Sequence, residues 1–215
     1  MTSVRSAEAL PRRCAQPVRL TRMNRAPVAS APASNTNAIV GVLVLIGAEI
    51  MFFGGLVTAF IVLRAGSAWW PPPGQPRLPI GVTGVNSLVL LASGLTMYRA
   101  LRAVRDDNRQ GLLRWTALTA LLGAAFLSVQ GFEWFRLVHY GLHASASLYG
   151  ALFYTIVGAH ALHVAGGLTA LLIVIAHAAN HRYGARSHGG VEGCWAFWSF
   201  VVALWPVLYV LVYLS

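Results

Sequence analysis

Hydrophobic positions along this chain gather in five long runs, at about 38–63, 79–103, 115–138, 147–178 and 191–214, separated by shorter polar connections. A helix needs roughly 20 apolar residues to cross a hydrocarbon core about 30 Å thick, and each run meets that length. The fold class predicted is therefore all-α, a polytopic membrane protein with five transmembrane helices in a bundle. The fourth run, "LYGALFYTIVGAHALHVAGGLTALLIVIAHAAN", is the longest and is expected to tilt or to protrude. No inverted repeat of the kind that marks many transporters is visible. The organisation expected is a basic tail over residues 1–37 followed by a transmembrane domain over 38–215.

Composition agrees with the pattern. Of the 215 residues, 57% are hydrophobic and only 10% are charged, where a soluble domain carries about 25% charged residues. The net charge of +10 comes from 16 basic residues, all arginine, against 6 acids. These arginines sit between apolar runs instead of along one face. They fit topology signals and anionic lipid headgroups, and nucleic acid is not an expected partner.

The arginines also sort the connections. Arg5, Arg12, Arg13, Arg19, Arg22 and Arg25 lie in the tail, and Arg99, Arg102, Arg105, Arg109 and Arg114 in and around the second connection. Arg182 and Arg186 lie in the fourth connection, whereas the first and third hold only Arg64, Arg77 and Arg136. Arginine-rich segments stay cytoplasmic, so the N-terminus is expected inside and the C-terminus outside.

The tail composition is that of a cytoplasmic extension, with an organellar transit peptide as the alternative and Met23 as a second candidate start. It lacks the apolar core of a secretory signal. In "SAWWPPPGQPRLP", Trp69 and Trp70 suit the interfacial belt and the prolines stiffen the connector. Cys14 and Cys194 lack metal-ligand spacing and read as free thiols.

Four polar side chains inside the runs carry the candidate chemistry. Glu49 interrupts "VLVLIGAEIMFFGGLVTAF" at a depth of roughly 17 Å, near the bilayer midplane. An ionised carboxylate there is costly, so Glu49 is expected to be protonated or paired, as a proton site or as a hydrogen-bonding anchor. Gln130, Glu133 and Arg136 follow one another at spacings of three along one helix side, so that Arg136 can neutralise Glu133. His160 and His163 share a helix, with their rings about 60° apart. One helix cannot supply both axial ligands of a haem, and only Glu49 and Glu133 offer themselves as further metal ligands. Neither a metal nor a haem site is predicted, and both imidazoles are expected to be buried and hydrogen-bonded. Gly54, Gly55, Gly158, Gly166 and Gly167 permit close helix approach or leave room for lipid chains. No phosphate loop, catalytic triad or nucleotide fingerprint is present.

Four segments, in order, resemble subunit III of haem–copper oxidases. "GAEIMFFGGLVTAFIVLR" is similar to that family's SE-x-M-F-F-x-G segment, and "QGFEWFRL" to its Q-x-x-E-[YW]. "YGALFYTIVGAHALHVAGG" resembles the family's Y-G-x-x-F-[FY]-x-x-x-G-x-H-x-L-H-V-x-x-G and is the most specific match. "VEGCWAFWSFVVALWPVLYVLVYL" looks like its closing helix, except that Ser199 and Val202 replace a family His and Asp, whose polar role is not carried over. Ala48 stands where the family has Ser. The chain looks like the short bacterial type, without the first two helices of longer members.

The resemblance implies a subunit with no catalytic or metal residues of its own. It would dock on catalytic subunit I, which holds haem and copper and reduces oxygen, together with subunit II. It further implies a V-shaped cleft holding bound phospholipid, and support of proton uptake and turnover durability. Glu49, Glu133, His160 and His163 then become proton-uptake or structural polar residues, hydrogen-bonding between helices. Gly54, Gly55, Trp69, Trp70, Arg136, Trp198 and Trp205 become lipid or packing residues. The location implied is the bacterial inner membrane, with the mitochondrial inner membrane as alternative. An auxiliary subunit of a nitric-oxide reductase and a free-standing membrane carrier are the competing functional readings.

Overall fold

The structure is a computed structural model that describes residues 33–72, 78–145, 147–180, 182–184 and 188–214, with side chains from Ile39 onward. The tail with Cys14, most of the proline-rich stretch with Arg77, and His181 and Arg186 lie outside the described residues. Five helices follow one another: α1 (Ala33–Ala65), α2 (Ile80–Arg105), α3 (Arg109–His139), α4 (Leu148–Ala179) and α5 (Gly189–Tyr213). All five are long and apolar enough to cross a membrane. With 32 residues, α4 is about 48 Å long, more than a straight crossing requires.

The largest departure from the apolar pattern is at the start of α3. Residues Arg109–Arg114 were expected in a polar connection but form the first turns of the helix. The cause is local. At the end of α2, Asn108 N–H donates to Ala103 O at 2.8 Å and Asp107 N–H to Val104 O at 3.2 Å, which closes the last turn. Asp107 takes the left-handed conformation this requires, with φ 53, a position that aspartate tolerates better than most residues. The Asn108 side chain then accepts from Gly111 N–H at 2.8 Å and caps α3. One asparagine thus ends one helix and starts the next.

Helices α2, α3, α4 and α5 pack in a closed cycle, each against the next and α5 against α2. Helix α1 lies outside the cycle, against α5, and touches α4 at few points. Trp198 of α5 sits inside the cycle and is fully buried. A Cβ at Gly123 of α3 would lie 2.7 Å from its Cη2, and a Cβ at Gly167 of α4 would lie 2.7 Å from its Cε3. Its indole N–H donates to Ser93 Oγ of α2 at 3.1 Å. One side chain therefore touches all three other helices of the cycle. Seven residues on, Trp205 repeats the polar half of the arrangement, donating to Ser87 Oγ at 2.7 Å. Asn86 to Phe126 O (3.0 Å) and the Thr96–Thr119 hydroxyl pair (2.8 Å) join α2 to α3.

The two glycines beside Trp198 set a sharp test. Gly123→Ala should destabilise the purified chain by about 1–3 kcal/mol through overpacking. Gly55→Ala, which meets open space, should be neutral or gain up to about 1 kcal/mol of helix propensity. Thermal unfolding of both variants in detergent checks the difference.

Candidate functional site

The polar connection between α1 and the helix cycle is made deep in the apolar zone. Glu49 Oε2 of α1 lies 2.8 Å from His163 Nε2 of α4. The other ring nitrogen, Nδ1, lies 2.7 Å from Ala159 O, one turn back on the same helix. A carbonyl oxygen can only accept, so Nδ1 carries a hydrogen and donates it. The Glu49–His163 contact then needs one proton between its two heavy atoms. Either a carboxylic acid donates to a neutral imidazole, or an imidazolium donates to a carboxylate. In both arrangements the pair is neutral as a unit, which satisfies the low-dielectric setting.

Aromatic rings surround this pair. Phe53 meets the His163 ring edge-on at 5.1 Å, and Phe52 and Phe197 flank it at 6.4 Å. Neither partner is sealed off, since the Glu49 side chain is 18% exposed and His163 19%. An apolar groove of about 480 Å³ runs along α1, α4 and α5 toward the α4–α5 connection, lined by Val42, Leu45, Ala170, Ile173, Cys194 and Phe197 among others. Gly193 allows it, because a Cβ there would come within 3.3 Å of Val42. Tyr183 lies at its connection end, 3.3 Å from His177 Nδ1, and burial pushes its phenol above the usual range.

The remaining candidates separate. Glu133 is buried and pairs with Arg136 at 3.1 Å within α3, the pair that their spacing of three predicts, whereas the resemblance implied a bond to another helix. One turn earlier, Gln130 makes the interhelical bond instead, donating to Tyr213 Oη at 2.9 Å. His160 departs from expectation. It is fully buried, but neither ring nitrogen has a hydrogen-bond partner among the described residues. Its ring stacks on Trp205 at 4.8 Å with Phe126 edge-on at 6.3 Å, so its neighbours are aromatic faces. His160 and His163 thus serve different surroundings, and among the described residues no three His, Cys, Asp or Glu side chains converge.

Gly54, Gly55 and Gly166 have open space where a side chain would be, whereas Gly158 makes ordinary contact with Trp134 and Gly167 is tightly packed. Trp69 is 73% exposed, while Trp70 is a packing residue, edge-on to Phe60 and to Tyr149. Val202, where the resemblance would place an acid, packs on Gly94 of α2. Cys194 is a buried free thiol. At the end of the bundle shared by these connections, Arg105 pairs with Glu192 at 2.8 Å, and Arg109 donates to Ala178 O and Ala179 O at 2.9 and 2.6 Å. Sequence reasoning missed Asn86, Ser87, Ser93, Thr96, Thr119 and Gly123, all of which serve helix–helix contacts. A polar residue within an apolar run was the available signal for five of them.

Comparison with known proteins bears on this arrangement directly. Residues 30–215 match the family model described as cytochrome c oxidase subunit III. The cytochrome c oxidase subunit 3 of Synechocystis sp. is 37% identical over 175 residues, covering 81% of this chain and 74% of that protein. The subunit 3 of Thermostichus vulcanus is 33% identical over 177 residues, or 82% and 86% of the two chains. That of Corynebacterium diphtheriae is 30% identical over 202 residues, or 93% and 94%. The polytopic five-helix chain belongs to the cytochrome c oxidase subunit III family.

Proposed function

We propose that this chain is the non-redox subunit of a respiratory haem–copper oxidase, docked on the catalytic subunit and sustaining its proton supply and turnover. The observation that carries this reading is the Glu49–His163 pair at 2.8 Å, in a chain of this family. The pair holds one transferable proton deep in an apolar zone, at a place where α1 and α4 leave it partly accessible. A proton can shift between carboxyl and imidazole without changing the net charge of the unit, so the step avoids the cost of an isolated buried ion. Haem and copper belong to the catalytic subunit in this reading, and the chain contributes no ligand to them. The groove along α1, α4 and α5, almost wholly apolar, suits a phospholipid acyl chain and is our candidate for the lipid cleft.

Orientation follows from the arginines. The end carrying Arg105, Arg109 and the fourth connection faces the cytoplasm of a bacterial cell, and the Trp69–Trp70 end faces the periplasm. Single cysteines at Ser67 and Asn108, introduced after replacing the native cysteines, should label from opposite sides of intact membranes. Labelling from the same side would refute the orientation.

Glu49→Gln keeps the shape and can still donate to His163 Nε2, but it removes the exchangeable acid. The oxidase complex carrying it should assemble, show its haem spectrum and reduce oxygen at the wild-type initial rate, then inactivate after several-fold fewer turnovers. Wild-type endurance would make the pair purely structural. Loss of oxygen reduction from the first turnover would place Glu49 in the catalytic step and contradict the reading.

A further inference from the structure

The α2–α3 hairpin carries five arginines near its turn, and they divide sharply. Arg105 and Arg109 are tied down, the first by Glu192 and the second by the last carbonyls of α4. Arg99, Arg102 and Arg114 are exposed, and among the described residues none of them forms a salt bridge. They lie around Trp115. The Arg99 guanidinium sits 4.9 Å over the indole ring, a contact that orients it without satisfying its charge. Arg102 Nη1 donates to Tyr98 Oη at 3.4 Å, a long bond that leaves the other donors free. Arg114 lines the groove on the other side of Trp115.

The two grooves, of about 470 and 340 Å³, share Trp115 and Asn108. Among the described residues that line them Asp106 is the single acid, so the three guanidiniums dominate the local charge. Toward the membrane interior the same surface turns apolar. Leu95 lies one turn from Arg99 on α2, Leu118 one turn from Arg114 on α3, and Leu121 a turn further in, all exposed. Guanidiniums at the rim above a leucine surface match an amphiphile with an anionic head and do not match a soluble polyanion.

We propose that this arginine–tryptophan rim of the α2–α3 hairpin binds the phosphodiester of an anionic phospholipid, with its acyl chains along Leu95, Leu118 and Leu121. Guanidinium forks bind phosphate oxygens in pairs, and the excess positive charge disfavours a zwitterionic head whose ammonium would approach the same rim. This site is separate from the groove along α1, α4 and α5 and does not depend on the proposed role of Glu49.

The test uses the full chain in detergent, titrated with dioleoyl phosphatidylglycerol or dioleoyl phosphatidylcholine and read by native mass spectrometry. The wild type should prefer the anionic lipid. Arg114→Gln, which removes an exposed side chain that has no partner among the described residues, should weaken it about fivefold, and the triple change Arg99→Gln, Arg102→Gln, Arg114→Gln about a hundredfold. Phosphatidylcholine binding should be unchanged, and the basic tail, present throughout, should not rescue the variants. The proposal is overturned if the variants keep wild-type affinity for the anionic lipid, or if both lipids weaken in parallel. Displacement of the lipid by millimolar inorganic phosphate would overturn it in favour of a free anion. Unchanged lipid binding with loss of co-purification on the catalytic subunit would overturn it in favour of a protein partner.

Discussion

The structure depends first on how Trp198 is seated. In a bilayer the surroundings of a helix are as apolar as its own side chains, so burial of leucine against leucine gives little drive for association. Close fit and buried hydrogen bonds must supply it. Trp198 does both, with its ring against Gly123 and Gly167 and its N–H on Ser93 Oγ. A side chain at either glycine would have to displace the indole, and the loss of Ser93 would leave a buried N–H without its acceptor. Trp205 and Ser87 repeat the hydrogen bond one layer away. The closed cycle of α2, α3, α4 and α5 is therefore fixed by α5, the last helix of the chain.

That arrangement leaves α1 outside, and its place gives the carboxyl its surroundings. Helix α1 packs on α5, with Val42 close to Gly193, and its buried Phe53 and Phe60 meet His163 of α4 and Trp70, yet most of its surface is exposed apolar side chain. Glu49 reaches across to His163 of α4, a helix that α1 otherwise touches at few points. The apolar groove toward Cys194 and Tyr183 is lined by the same three helices, α1, α4 and α5. The Glu49–His163 pair is shielded by Phe52, Phe53 and Phe197 but keeps 18–19% of its side-chain surface exposed. In a chain of the subunit III family, the role we propose for this pair is to sustain the catalytic subunit.

Much of this was legible in the sequence because lipid imposes length. Five apolar runs gave five helices, and the Glu49 and His163 motifs pointed to the family before any contact was known. What stayed hidden was which face of each helix meets protein. When lipid-facing and protein-facing positions are both apolar, periodicity carries little information. Gly54 and Gly55 look like packing residues in the sequence yet meet open space, while Gly123, unremarkable in its run, meets Trp198. His160 and His163 look equivalent, but one stacks on Trp205 with no polar partner among the described residues and the other meets Glu49. The start of α3 was hidden for another reason. Its first turn is polar, and the capping by Asn108 that extends the helix to Arg109 is a local hydrogen-bond effect that hydropathy does not register.

The most direct test of the account asks whether Glu49 and His163 act as one unit. Oxidase complexes carrying the wild-type subunit, Glu49→Gln, His163→Gln and both changes should be compared by the number of turnovers completed before half of the activity is lost. If the pair shares one proton, either change alone removes the function, and the double variant should endure no less than the weaker single variant. Losses that multiply in the double variant would mean that the two residues act independently, and the account of a shared proton would be wrong.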